Sequence, residues 1–360
     1  MDASTAPHGA WCETLIEPNG KALRTLRGAA KNDKTSLVHP SGADEARCRI
    51  ENHHLLGRST GAAMHPRMSI LALPFVAALT LASSAVATPT LLPVAVAPQY
   101  DTTHVYVAPE QVDDFVKAFL GTFGGKSTPQ VVATVTPTPS STTSQLLQTP
   151  AGTVSLFGFK TPVPYPFGLE RNGYLVRDMD VAIKAARDAG ASVIVEAFPD
   201  PIGRDAVIQW PGGINMQLYW HTKHPDYEAF ETIPENRAYV SPDAVDEFLK
   251  DFLTFSGGKI VADDSNASAA EIGKPDEKFR RIEIQSDFGR MLVLVSDGHL
   301  PYPYGYETTG YEVSDLQQTL ERAGKFGVNV LVPPHRAGNR QTSVVQFPGG
   351  YIAEIHTVSK

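Results

Sequence analysis

Three segments of this 360-residue chain occur twice, in the same order. HVYVAPEQVDDFVKAFLGTFGGK, from His104 to Lys126, returns as RAYVSPDAVDEFLKDFLTFSGGK from Arg237 to Lys259. PYPFGLERNGYLVRDMD from Pro164 returns as PYPYGYETTGYEVSDLQ from Pro301, and IQWPGGINMQLYWH from Ile208 returns as VQFPGGYIAEIH from Val345. A shared order at nearly constant spacing implies a duplicated unit of roughly 120 residues, the size of one domain.

Each copy divides again. In the first, Val105–Val107 is a β-favouring run, and Pro109 can open the helix that follows. Val112, Phe115, Val116, Phe119 and Leu120 recur at helical spacing, and Gly124-Gly125 stops the helix. β-rich stretches follow around 131–135, 145–148 and 153–159. The order then repeats: a strand over 173–176, Asp178 as N-cap, a helix with Val181, Ala182, Ala185 and Ala186 on one face, Gly190 at its end, and strands at 192–196, 204–210 and 215–220. The second half repeats both parts over 238–295 and 310–358. The chain therefore reads as an α+β protein of four βαβββ modules.

The N-terminal third lies outside the repeat. No charge interrupts Ser69–Ala87, His65 and Arg67 precede it, and Ala85-Val86-Ala87 has the small-x-small form that signal peptidase reads. Pro74, Ser83 and Ser84 leave the apolar run short for a membrane span. Residues 64–87 are thus expected to be a signal peptide, 88–100 a linker, and the mature protein exported (periplasmic or secreted) with no stable membrane insertion after cleavage. Residues 1–63 are polar and aperiodic; either translation begins at Met64 or Met68, the favoured expectation, or they form a disordered leader. Both cysteines, Cys12 and Cys48, fall in that leader, so residues 88–360 contain neither a disulfide nor a thiolate nucleophile. Residues 1–87 carry nine Lys/Arg against seven Asp/Glu, which leaves about −10 of the formal −8 on the remainder. With no basic run, nucleic acid is not an expected partner, and a neutral or cationic small molecule is.

Four such modules, with opening strands ending Val176-Arg177-Asp178 and Val313-Ser314-Asp315 and last hairpins Asp200-Pro201-Ile202-Gly203-Arg204 and Pro348-Gly349-Gly350-Tyr351-Ile352-Ala353-Glu354, resemble the vicinal oxygen chelate superfamily. That superfamily includes glyoxalase I, extradiol dioxygenases, fosfomycin-resistance enzymes and bleomycin-binding proteins. The resemblance covers about 101–358. It implies two tandem glyoxalase-like domains, 101–224 and 233–360, of curved mixed sheets around a cleft with helices outside.

The resemblance also implies where a divalent ion (Zn, Ni, Fe or Mn) would sit. Ligands come from the first and last strands of paired modules, usually two His and a Glu, leaving positions open to polarise a substrate. Glu354 fills the last-strand position in the second half and Gln217 in the first. Counting along the first strands gives Arg171, Thr308, Thr102 and Glu235. His104 shares a strand face with Thr102, unless a one-residue slip turns it away, and His356 shares a face with Glu354. Two readings stay open: a metal held by Glu354 with His104 and His356, or Glu354 hydrogen-bonded to a cleft residue with no complete metal site. The proline-stiffened connectors offer Tyr165, Phe167, Tyr302 and Tyr304 as aromatic walls or as packing between modules, with Glu170 and Glu307 beside them. The favoured function is a binding protein for a small organic ligand, with a metal-dependent lyase or dioxygenase as the alternative; an oligomer is compatible with both. Export is expected to yield a mature chain starting at Thr88, read by N-terminal sequencing of the exported protein. A mature chain still containing Trp11 would contradict it.

Overall fold

A computed structural model describes residues 12–16, 22–26, 94, 99, 101–222 and 232–359. The expected signal segment and most of the linker lie outside these. The chain divides into two units, 1–84 and 85–360. In the first, β1 (Cys12–Ile16) pairs antiparallel with β2 (Ala22–Leu26).

The second unit holds the four modules. Module one comprises β3 (Thr103–Val107), α1 (Val112–Phe123), β4 (Lys126–Ser127), β5 (Val131–Ala133), β6 (Thr142–Thr149) and β7 (Gly152–Phe159); β4 and β5 together line the same edge of β6. Module two comprises β8 (Gly173–Leu175), α2 (Met179–Asp188), β9 (Ser192–Pro199), β10 (Gly203–Trp210) and β11 (Ile214–His221). Module three comprises β12 (Glu235–Val240), α3 (Val245–Ser256), β13 (Lys259–Ser268), β14 (Lys278–Ser286) and β15 (Gly289–Val295). Module four comprises β16 (Thr308–Glu312), α4 (Leu316–Lys325), β17 (Asn329–Ala337), β18 (Arg340–Gln346) and β19 (Ile352–Val358).

The helices end where the sequence asks. Asp178 and Asp315 cap α2 and α4 by accepting from Val181 N and Gln318 N, each at 2.9 Å. Gly257 closes α3 in the left-handed conformation. One face is shifted from expectation. Val181 is exposed, and α2 buries Met179, Ala182, Ile183 and Ala186 instead. Asp178 sets the start of the helix, and the stripe that this start turns inward begins at Met179.

In each module the first strand runs parallel to the last. In half two, β12 and β16 pair antiparallel, giving one eight-stranded sheet ordered β13-β14-β15-β12-β16-β19-β18-β17. In half one the corresponding join is the antiparallel bridge Thr103↔Asn172 between two smaller sheets.

The helices cover the convex faces, outside each hollow, and there the halves interlock. One core combines Trp210, Met216 and α2 of module two with Phe248, Phe252 and Phe255 of α3. The other combines Val105, Phe115 and Phe119 of module one with Tyr311, Phe347 and Ile355 of module four. Trp210 lies 5.2 Å from Phe255, and Phe119 5.4 Å from Phe347, between ring centroids. Each core therefore draws on both copies of the repeat. Truncating one such ring leaves a cavity that costs about 3–5 kcal/mol. With their convex faces consumed in this way, the sheets present their concave faces as hollows.

Candidate functional site

Strand alternation assigns the concave face. Val105 and Val107 point into the core, so His104 and Tyr106 point into the half-one hollow. The same alternation puts Ala206, Ile208, Met216 and Leu218 in the core and Asp205, Gln217 and Tyr219 in the hollow. The result is an open cavity of about 430 Å³, within the range of small-molecule sites.

Its walls are aromatic. Phe157 stacks edge-on to His104 at 5.5 Å and lies 5.2 Å from Tyr106. Phe167 packs on Phe198 from the connector side. Its polar side chains include Asp101, Asp200, Asp205, Gln145, Gln217, His104 and His221, with no Lys or Arg among the described lining residues. Burial pushes the Asp205 carboxyl well above the usual carboxylate range, and neighbouring Asp200 and Asp101 push it further. Burial also raises Asp200. Asp101 is held in place by Ser155, which donates to its carboxylate, and by the Tyr219 hydroxyl, which donates to its carbonyl at 2.5 Å. Behind His104, Glu170 is fully buried, accepts the Tyr106 hydroxyl, and lies 3.6 Å from His104 Nδ1.

Half two has the same frame with a different filling. The repeat and the strand registers place Thr102, His104, Ser144, Leu146, Gly203 and Gln217 opposite Glu235, Arg237, Arg281, Glu283, Arg340 and Glu354. Six neutral-or-histidine positions thus become charged. Arg237 lies 3.3 Å from Glu235, 3.2 Å from Glu271 and 3.7 Å from Glu354. Arg340 grips both oxygens of Glu235 at 2.9 and 3.2 Å, a two-pronged pair. Arg281 bonds Glu271 at 2.8 Å and also Glu283. Glu354 accepts from Thr342 and lies 2.6 Å from His356 Nδ1. The short turn Ala269–Ile272, which carries Glu271, folds into this hollow with Phe279, Leu292 and Leu294. What remains is a void of about 10 Å³, the space of one water centre.

The electrostatics follow from this burial. Desolvation alone would raise Glu235, yet Arg340 and Arg237 overcome it and pull the carboxyl down to about 2. Glu354 is likewise lowered against its own burial, by Arg237 and then His356. Arg237 is held protonated, its burial outweighed by Glu354, Glu271 and Glu235.

These residues do not fit a divalent ion in half two. The point between Glu235, Glu271 and Glu354 already holds a guanidinium. The strand neighbour of Glu354 is Gly310, where a Cβ would sit 2.8 Å from Glu354 Oε2 and 3.3 Å from Arg237 Cδ. In half one the neighbour of Gln217 is Gly173, where a Cβ would sit 2.5 Å from His104 Nε2. Among the described residues no group of three or more His, Cys, Asp or Glu is placed to hold a metal.

The candidate residues therefore separate. Glu354 and His356 meet in half two, around Arg237. His104, Gln217 and Phe167 meet in half one. Tyr304 lines the small half-two void, whereas Tyr165 and Tyr302 are largely exposed and line neither hollow. Glu170 backs His104, and Glu307 accepts from Asn172 at the join of the halves. Asp101, Tyr106, Phe157 and Asp205 were not singled out from sequence, because no spacing rule marks them. The arginine at the repeat position of His104 was the available signal that the two hollows differ.

No protein-family model matches the chain, and no curated protein matches its sequence. Among solved structures it is similar to a 4-hydroxymandelate synthase mutant from Streptomyces coelicolor (12% identity, 73% of this chain and 93% of that one, TM-score 0.49). It is also similar to an extradiol ring-cleaving dioxygenase from B. fuscum (13%, 76% and 74%, TM-score 0.48). A third is a Mn(II)-bound glyoxalase from Novosphingobium aromaticivorans (15%, 73% and 83%, TM-score 0.44). The class of fold rests on the strand order itself. Four βαβββ modules, paired through their first strands into curled mixed sheets, make up the vicinal oxygen chelate fold.

A carboxyl held at about 2 when folded and near 4.3 when unfolded stabilises the fold at neutral pH by about 3 kcal/mol. The folded pKa is the lower one, so this contribution is present above the unfolded value and is lost as pH falls from about 4 towards 2. Arg237→Ala, which strands buried carboxylates, is expected to cost about 3–5 kcal/mol in urea unfolding at pH 7, a loss that shrinks as pH falls and those carboxyls take up protons. Unchanged stability at pH 7 would contradict the network's role.

Proposed function

We propose that this chain is an exported binding protein that holds a small, partly aromatic compound in its half-one hollow, through a cationic or hydrogen-bond-donating group turned towards Asp205. The observation that carries this reading is the contrast between two hollows of one duplicated frame. One is a cavity of about 430 Å³ with aromatic walls; the other is closed by ion pairs to about 10 Å³. Three aspartates, with no Lys or Arg among the described lining residues, favour a donor or cation over an anion. Tyr106, Phe157 and Phe167 offer ring faces to a flat apolar body and to a cation. The apolar Ser69–Ala87 segment supports the export part of the reading. The lyase or dioxygenase alternative runs through Glu354, whose carboxylate is committed to Arg237, Thr342 and His356.

Charge-matched probes test this. Benzylammonium is expected to bind saturably with a Kd on the order of 1 mM, about −4 kcal/mol. Affinity is expected to rise with pH as the Asp205 carboxyl ionises, and Asp205→Asn is expected to weaken binding about tenfold and flatten that pH dependence, since a charge-assisted bond is lost. Added Mn, Fe, Ni or Zn is expected to change neither this affinity nor thermal unfolding. Equal affinity in Asp205→Asn, or ligand binding that requires metal and Glu354, would overturn the reading.

A further inference from the structure

A second cavity, of about 400 Å³, lies where the two copies of the aromatic connector come together. Leu169 and Arg171 of the first connector face it, as do Tyr306, Glu307 and Thr308 of the second. Tyr106 borders both this cavity and the half-one hollow, so one ring separates two spaces of opposite character.

Arg171 sets that character. It is half-buried, and among the described residues it has no ion pair within 4 Å, unlike Arg237, Arg281 and Arg340, which are all paired. Its charge acts on Glu307, whose carboxylate accepts from the Asn172 amide. Burial raises that carboxyl to about 7, against the pull of Asn236 and Arg171. Glu307 therefore gives Arg171 only partial compensation at neutral pH. The remaining walls are apolar or neutral: Tyr306 and Tyr351 rings, Ile352, and the hydroxyls of Thr308 and Thr309.

We infer that this junction cavity is an anion site of its own, taking a monocarboxylate with an aromatic or apolar body, the carboxylate on Arg171 and the body against Tyr106, Tyr306 and Tyr351. A guanidinium fork matches a carboxylate's two oxygens. The adjoining Glu307 disfavours ligands of higher negative charge. This site is independent of the half-one reading, because its charge preference is the reverse.

Benzoate is the probe, titrated by NMR or calorimetry at pH 7 against the full exported chain. Saturable binding is expected in the native protein and in Asp205→Asn. Arg171→Gln is expected to weaken it at least about tenfold while leaving benzylammonium binding intact. Tyr306 is 71% exposed, so Tyr306→Ala tests the wall without touching the core, and about a threefold loss is expected. Failure of native protein to bind benzoate saturably, or equal benzoate affinity in Arg171→Gln, overturns the inference. Benzylammonium failing while benzoate binds would instead count against the half-one reading alone.

Discussion

Each βαβββ module folds with one apolar face, and neither half buries its own. Module one covers module four, and module two covers module three, with rings such as Phe119 against Phe347 and Trp210 against Phe255 closing the gaps. This reciprocal burial holds the sheets in their curved shape by fixing their convex sides. It also leaves the concave sides out of these two shared cores. Duplication of a unit with a hollow thus yields two hollows whose contents can diverge without touching the core.

They have diverged in opposite electrostatic directions. In half two a guanidinium sits among three carboxylates, and the surrounding arginines and glutamates complete a buried lattice of ion pairs. Such a lattice adds little net stability over an apolar filling, but removing one member leaves uncompensated buried charge. That asymmetry ties Arg237, Arg340 and Arg281 to Glu235, Glu271, Glu283 and Glu354 as a set. In half one the corresponding positions are neutral or histidine, no turn equivalent to Ala269–Ile272 fills the space, and the hollow stays open. Among the described residues the buried Asp205 carboxyl there has no ion pair with an arginine, so it is poised for a donor brought by a ligand.

Much of the fold was legible in the sequence because it is local or periodic. The repeat gave four modules, Asp178 gave the start of α2, and glycines gave helix ends. Val181 was placed on the wrong face because a small apolar stripe, Ala182 to Ala186, fits two helical settings that differ by one residue. The site was less legible because its contacts are set by register between distant strands. Spacing along the chain does not bring Arg340 to Glu235, 105 residues away, or Asp205 to Asp101. His104 illustrates the boundary. Its strand was clear, but its face depended on a one-residue register that Val105 and Val107 settle only by packing on α1. The difference between the hollows was present in the repeat itself, as histidine in one copy and arginine in the other.

The central claim is that one hollow is open to ligand and its twin is closed by its own arginine. Crystals soaked with 4-bromobenzylammonium and measured at the bromine absorption edge address it directly. The account requires an anomalous peak among Tyr106, Phe157 and Phe167, and continuous guanidinium density between Glu235, Glu271 and Glu354. A bromine or metal peak at the Arg237 position, or a half-one hollow filled by the protein's own side chains, would contradict it.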